Sequence, residues 1–149
     1  MNNDWFEFLK QDYTQGFPAY CGIVVDRVDL GTFETHVPMR RELTQQDGFA
    51  HAGIIATMAD HTAGYAAFTT ISKNQRILTV EFKINYFKPA VGDILICRSH
   101  VINTGRKIIV SQSDLFSVVG EQEKNVARAT VTLMAVNTDT LNKTAIPKQ

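Results

Sequence analysis

Residues 51–71 read HAGIIATMADHTAGYAAFTTI, and the length and alanine content of this stretch predict one helix over residues 53–70. At 1.5 Å per residue, such a helix would be about 27 Å long. It is apolar on nearly every face, so we expect a sheet to wrap around it and a second subunit to close off the remainder. Asp60, in the middle of the stretch, is then a charged group in apolar surroundings.

The chain after this helix alternates between apolar and polar residues, which is the pattern of strands with one buried face. The first predicted strand has an apolar face formed by Leu78, Val80, Phe82, Ile84 and Tyr86. Thr79 and the other polar residues between them are expected to point the opposite way. Three further strands are predicted over residues 93–103, 107–119 and 124–137, because turn-forming residues separate the alternating segments.

Two elements are predicted before the long helix. Residues 1–14 are expected to hold an N-terminal helix, because Trp5, Phe8, Leu9 and Tyr13 recur at three- and four-residue intervals. Residues 22–39 are typical of a hairpin that turns at residues 29–31. The polar residues 138–149 are expected to fray. The predicted fold is therefore α+β, a single domain over residues 1–149 with an antiparallel sheet wrapped around one long central helix.

The composition is that of an ordinary globular domain, with 149 residues of which 44% are hydrophobic and 20% charged. The 15 basic and 15 acidic residues balance to a formal charge of zero, which argues against nucleic acid or a membrane surface as partner. There is no signal-peptide pattern and no apolar run of about 20 residues, so a cytoplasmic location is expected. Cys21 and Cys97 lack any partner spacing and are interpreted as buried reduced thiols.

Small side chains surround Asp60 on its face of the predicted helix: Ala56, Ala63, Gly64 and Ala67. They leave room for a substrate beside the carboxylate, and a substrate group or a bound water could satisfy its charge. In the alternative interpretation, the small residues allow close packing of the helix, and Asp60 pairs with a structural donor. The helical period is compatible with both interpretations.

His51, Ala52 and Gly53 begin the predicted helix, where backbone N–H groups lack intrahelical acceptors and the helix dipole is positive. The amides of Ala52 and Gly53 are therefore candidate donors to a developing oxyanion. The alternative is an ordinary helix start whose N–H groups are bound by Asp47 or by water.

Two uncharged polar residues are further candidates. Gln45 can both donate and accept hydrogen bonds, and the Thr79 hydroxyl can position a water molecule. Each also has an ordinary structural explanation, since Gln45 lies in a polar loop and threonine is common in strands.

Taken together, these residues resemble the hotdog-fold acyl-CoA thioesterases of the PaaI type. The resemblance covers residues 15–137 and is carried by Gln45, by residues 51–60, by Thr79-Val80-Glu81 and by the segment YFKPAVGD at residues 86–93. Its most specific part is the histidine-glycine helix start followed by an acid nine positions after the histidine.

The resemblance implies a role for each matching residue. In that family, the acid on the central helix acts as nucleophile or general base, which implies this role for Asp60. The helix start gives a backbone N–H to the thioester carbonyl oxygen, which implies Ala52 as donor, with Gly53 beside it and His51 bracing the loop. Thr79 is implied to hold the attacking water.

The resemblance also implies that two subunits build each site, with Asp60 and Thr79 from one and Gln45 and Ala52 from the other. Gln45 is implied to orient substrate and water. A homodimer or homotetramer is therefore the expected assembly, and a monomer would be inactive. One departure is that the first glycine of the usual His-Gly-Gly is Ala52 here, which keeps the amide donor but restricts the loop.

The contacts to the rest of an acyl-CoA substrate are less clearly marked. Lys88, Arg106 and Lys107 lie at a strand end and in a turn, where they could contact coenzyme A phosphates or remain solvated surface charges. Four large side chains could line an acyl pocket or belong to the core: Met58, Tyr65, Phe68 and Phe82.

Other functions remain open at this stage. One is a non-catalytic acyl-CoA-binding or sensing protein of the same fold, and another is a hotdog hydratase or dehydratase. A metal site is not expected from His51, Asp60 and His61, because adjacent helix positions diverge by about 100°. No cofactor is expected. His36 and His100 are interpreted as structural or exposed.

Overall fold

In the computed structural model, which describes residues 3–141, a six-stranded antiparallel sheet packs against one long helix. The helices are α1 Asn3–Tyr13, α2 Phe17–Cys21, α3 Ala52–Phe68 and α4 Thr138–Leu141. The strands are β1 Val24–Asp29, β2 Thr32–Pro38, β3 Gln75–Tyr86, β4 Ile94–Thr104, β5 Ile108–Val119 and β6 Gln122–Asn137. Their order in the sheet is β1-β2-β4-β5-β6-β3, so β1 and β3 form the edges. This architecture confirms the predicted α+β fold.

The predicted frayed tail is only partly covered by the structure. Thr138–Leu141 forms the short helix α4, and the Thr138 N–H donates to the Asn74 carbonyl at 2.9 Å. Residues 142–149, like residues 1 and 2, lie outside the described residues. Within residues 3–141, no helix has both the length and the apolar character needed to cross a membrane.

The central helix α3 packs against strands β2 to β6. The residues that it buries are Ile54, Ile55, Met58, Ala59, Thr62, Ala63, Ala66, Ala67 and Phe68. The strip formed by Ala56, Asp60 and Gly64 is only half-buried. The helix is therefore not covered on every side within one chain, because the sheet ends at β3 beside this strip.

A β-bulge in β3 overturns the predicted alternation of that strand. The register against β6 shifts between Thr79 and Glu81, so Val80 is an extra residue. Thr79 pairs with the buried Leu133 and faces α3, whereas Leu78 lies on the outer face of the sheet. The prediction that Leu78 shares a face with the apolar residues after it, and that Thr79 points the other way, was therefore wrong.

The prediction that β3 is half-buried was also wrong for a single chain. Leu78, Val80, Phe82 and Tyr86 are 45%, 53%, 37% and 47% exposed. The physical reason is the edge position, because among residues 3–141 β3 has a neighbouring strand on one side only. In this part of the chain its other side presents backbone groups without a strand partner, together with apolar side chains.

Helix α1 packs across the C-terminal half of α3. The Tyr13 hydroxyl lies 2.9 Å from the Thr62 hydroxyl, and its ring centre lies 4.2 Å from that of His61. The Tyr65 hydroxyl donates to Asp12 Oδ2 at 2.8 Å. Trp5, Leu9 and Tyr13 are buried as the periodicity of the sequence predicts, whereas Phe8 is 40% exposed and stacks on Trp5.

Buried hydroxyl and thiol groups of the sheet hold α3 directly before Asp60. The Ser113 hydroxyl donates to the Ala59 carbonyl at 2.7 Å, and the Cys97 thiol donates to the Met58 carbonyl at 3.5 Å. Burial raises the pKa of Cys97 to about 11. Cys21 and Cys97 are both buried and free of disulfides, which confirms their interpretation as buried reduced thiols.

Two serines on the same face of β5 should respond oppositely to replacement by alanine. Ser113 and Ser111 are both fully buried, but the Ser111 hydroxyl has no hydrogen-bond partner within residues 3–141. We expect Ser113→Ala to lower the free energy of unfolding by about 1–2 kcal/mol, whereas Ser111→Ala should be neutral or stabilising. Urea unfolding measures both, and an equal loss in the two variants would contradict this account.

His61 should make the stability of the protein depend on pH. Burial lowers the pKa of His61 below its ordinary value, so the unfolded chain takes up a proton first as the pH falls. The free energy of unfolding should therefore decrease as the pH falls below about 6.5. His61→Gln should lose part of this dependence, as measured by urea unfolding between about pH 7.5 and 5.5. Parallel pH curves for the two proteins would show that His61 does not contribute.

Candidate active site

The predicted site residues divide between two clefts along the open side of α3. The first cleft has a volume of about 360 Å³ and lies at the start of the helix; its lining includes Gln45, Ala52, Ile55, Tyr86 and Lys88. The second has a volume of about 250 Å³ and lies beside the middle of the helix; its lining includes Asp60, His61, Gly64, Tyr65 and Thr79. We call these the amide cleft and the carboxylate cleft.

In the amide cleft, one of the two candidate amide donors is already bound. The Gly53 N–H donates to His51 Nδ1 at 2.8 Å. The Ala52 N–H donates to no other group within residues 3–141, and the predicted alternative of an Asp47 acceptor does not occur there. Since Nδ1 of His51 accepts, a neutral His51 carries its proton on Nε2. The helix start therefore presents the Ala52 amide.

Gln45 lines the same cleft as Ala52 and belongs to a tight loop. Its N–H donates to the Phe49 carbonyl at 2.8 Å, and its side-chain oxygen accepts from the Asp47 N–H. The side-chain oxygen is thus occupied, and the side-chain NH₂ is the group left to donate. On the other side of the cleft, the Tyr86 hydroxyl donates to the Ala52 carbonyl at 3.2 Å, which ties the end of β3 to the start of α3.

In the carboxylate cleft, Asp60 and Thr79 contact each other directly. The Thr79 hydroxyl donates to Asp60 Oδ1 at 2.7 Å. Within residues 3–141, no Lys, Arg or His nitrogen lies within 4.0 Å of the Asp60 carboxylate. Because Thr79 gives its proton to Asp60, its oxygen can accept a hydrogen bond from a water molecule. A water that donated to this oxygen and to the second carboxylate oxygen would have the arrangement that general-base chemistry needs.

The two clefts are too far apart to act on one carbonyl group within a single chain. Ala52 and Asp60 are eight positions apart on α3, which corresponds to about 12 Å along the helix axis. An oxyanion donor and an attacking water must each lie about 3 Å from the reacting group. The candidate amide donor and the candidate carboxylate of one chain therefore do not converge on a single reacting group.

The other predicted residues are scattered. Lys88 lines the amide cleft, whereas Arg106 and Lys107 line a separate cavity that shares no residue with either cleft. Met58 is completely buried and lines neither cleft, so it is a core residue. Tyr65 and Phe68 line the carboxylate cleft, whereas Phe82 lines neither cleft.

Two charged residues of the carboxylate cleft were missed by sequence reasoning, namely Asp12 from α1 and Arg76 from β3. Arg76 had one available signal, its position three residues before Thr79. Asp12 had no such signal in the sequence, because its place in the cleft depends on how α1 packs against α3. Within residues 3–141, no three His, Cys, Asp or Glu side chains converge as a metal site would require.

Comparison with known proteins places this chain in a family. Residues 47–124 match the thioesterase superfamily. The structure superposes with a TM-score of 0.87 on a thioesterase family protein from Silicibacter pomeroyi, at 35% sequence identity, with 89% of this chain and 98% of that chain covered.

Two more distant structures share the fold. A thioesterase from Haemophilus influenzae superposes with a TM-score of 0.80, at 22% identity, with coverage of 88% of this chain and 90% of that chain. A mutant form of the phenylacetic acid degradation protein PaaI from Thermus thermophilus gives a TM-score of 0.70, at 21% identity, with coverage of 79% of this chain and 96% of that chain. The predicted resemblance to hotdog-fold thioesterases is confirmed, and the chain belongs to the thioesterase superfamily, a group of acyl thioester hydrolases.

Proposed function

We propose that this protein hydrolyses acyl-CoA thioesters to the free acid and CoA, at a site that two copies of the chain build together. The observation that carries the proposal is the Asp60–Thr79 hydrogen bond of 2.7 Å on a helix face that is otherwise lined by small residues. A carboxylate in this setting, with a hydroxyl as its partner and no cation within 4.0 Å among residues 3–141, is suited to activating water. A protein that only bound acyl-CoA would have no need of it.

The proposed reaction uses one group from each cleft. The thioester carbonyl oxygen accepts from the Ala52 N–H, so negative charge that develops on it is stabilised at the positive end of α3. Asp60 takes a proton from the water held by Thr79, and the water oxygen forms a bond to the carbonyl carbon. When the tetrahedral intermediate collapses, the carbon–sulfur bond breaks and CoA leaves as the thiolate. Asp60 then gives its proton to the thiolate or to solvent and is regenerated as the base. Direct attack by Asp60, followed by hydrolysis of the resulting anhydride, would use the same residues.

The shape of β3 supports a site shared between two chains. The two clefts lie at opposite ends of this strand, since Thr79 belongs to the carboxylate cleft and Tyr86 to the amide cleft. If β3 pairs antiparallel with β3 of a second copy about a two-fold axis near Glu81 and Phe82, the Thr79 end of each strand meets the Tyr86 end of the other. Each carboxylate cleft then lies beside the amide cleft of the partner. The same pairing covers the exposed apolar residues of the edge.

Lys88 is the proposed contact for the CoA phosphates, because it lines the cleft that presents the Ala52 amide. Arg106 and Lys107 were predicted as further phosphate contacts. They line a cavity separate from both clefts, so of the three residues only Lys88 lies beside the proposed site.

Asp60→Asn should abolish most hydrolysis while the fold is retained. The amide can still accept from Thr79 but cannot take a proton from water, so we expect kcat/KM for a good acyl-CoA substrate to fall by about 10²–10⁴-fold. Thiol release measures the rate, and thermal unfolding verifies the fold. Asp29→Asn, at the exposed last residue of β1, is the matched control. Wild-type activity in Asp60→Asn would exclude the proposed mechanism.

Ala52→Pro should remove the amide donor without breaking the helix. Ala52 is the first residue of α3, a position that favours proline, and His51 before it has an extended conformation with ψ 138° that proline tolerates. We expect a loss of about 10²–10³-fold in kcat. When Ala52→Pro and Asp60→Asn chains are refolded together, half of the dimers carry one intact site, which restores about a quarter of the wild-type activity.

That mixing experiment separates a shared site from a site within one chain. If each chain carried a complete site, the mixture would show only the average of the two impaired activities.

A further inference from the structure

The carboxylate cleft contains a glycine that neither the backbone nor the packing of the fold requires. Gly64 lies in the middle of α3 without a positive φ, and an added Cβ would lie 3.9 Å from both Ile77 and Leu133, an ordinary contact distance. Glycine is a poor helix former, so its presence here disfavours the helix. What it provides is open space one helical turn beyond Asp60.

The same cleft contains an arginine that has no counter-ion. Of the two half-buried arginines within residues 3–141, Arg98 pairs with Glu123 at 2.7 Å, whereas Arg76 has no carboxylate within 4.0 Å. Arg76 Nη1 donates to the backbone carbonyls of Gln75 at 2.9 Å and Lys73 at 3.4 Å, and the guanidinium lies 5.6 Å from the ring centre of Phe68. These contacts hold the guanidinium in place. They leave other N–H groups free to donate, because a guanidinium has five of them. Arg76 lies between the carboxylate cleft and a neighbouring cavity that it also lines.

The spacing of these residues defines a path for an acyl group. Gly64 and Phe68 lie one and two helical turns beyond Asp60, roughly 6 and 12 Å along α3. Arg76 precedes Thr79 by three residues, roughly 10 Å along β3. An acyl group whose carbonyl carbon lies at Asp60 and Thr79 would pass Gly64, and its far end would come within hydrogen-bond distance of the guanidinium after about four to six carbon atoms.

We propose that this cleft selects short acyl groups that carry a carboxylate at the far end, and that Arg76 is the residue that binds this carboxylate. The inference rests on the proposed thioester hydrolysis. A guanidinium presents paired N–H groups that match the two oxygens of a carboxylate. Two carboxylates line the same cleft, those of Asp60 and Asp12. Asp60 Oδ1 accepts from Thr79 and lies at the reacting end of the path. Both Asp12 oxygens already accept hydrogen bonds, Oδ2 from Tyr65 at 2.8 Å and Oδ1 from Gln15 at 3.1 Å.

A pair of esters with equal chain length tests the proposal. Glutaryl-CoA and pentanoyl-CoA both have five acyl carbons, and only the first ends in a carboxylate. We expect wild-type kcat/KM to be higher for glutaryl-CoA, and the ratio of the two values to fall about 10- to 100-fold in Arg76→Met, which keeps an unbranched side chain without the charge. Arg76→Lys should retain an intermediate ratio. Arg27→Met, on the exposed face of β1, is the matched control and should keep the wild-type ratio.

The outcomes separate this inference from the proposed function. A wild-type protein that hydrolyses pentanoyl-CoA as well as or better than glutaryl-CoA, or a ratio unchanged in Arg76→Met, overturns the role of Arg76 and leaves thioester hydrolysis standing. If neither ester is hydrolysed, calorimetric binding of the two esters decides the inference, because wild type must bind glutaryl-CoA more tightly and Arg76→Met must lose that preference. The proposed function fails only if longer-chain and aryl acyl-CoA esters are not hydrolysed either.

Discussion

The hydrogen bond between Thr79 and Asp60 connects the central helix to the edge strand, and the site depends on it. This hydrogen bond exists because the bulge at Val80 interrupts the alternation of side chains along β3. Thr79 and Phe82 therefore face the same side of the sheet. The segment of α3 that carries Asp60 is fixed by the central strands of the sheet. Ser113 and Cys97 donate to the two backbone carbonyls directly before Asp60. The carboxylate is therefore held between two parts of the sheet.

The central helix and the four strands after it could be predicted from the sequence, because their patterns of apolar and polar residues extend over many positions. The helix expected over residues 53–70 is Ala52–Phe68, and all four strands after it were found close to their predicted ranges. The bulge could not be predicted, because residues 78–86 alternate without interruption in the sequence. Its position is set by pairing with β6, a contact between segments about 50 residues apart that leaves no local trace.

The candidate site was predictable only in part. Asp60 was evident as a carboxylate on an apolar helix, and Ala52 as the amide at its start. The role of each followed from a family resemblance and not from periodicity. Arg76 and Asp12 were missed because they approach Asp60 from other elements, through the end of β3 and the packing of α1. The proximity of residues from different elements arises from tertiary packing, which cannot be read from a single sequence.

The Cβ of Ala52 limits the backbone conformations available at the start of α3. A glycine there would leave the backbone more conformations to sample, whereas a Cβ restricts it, and the hydrogen bond from Gly53 to His51 restricts the next residue. A dipole that is already oriented does not have to be realigned when an anion forms beside it. In the proposed reaction, this helix start would therefore act as a rigid electrostatic support with little capacity to adapt to a carbonyl that arrives at a different angle.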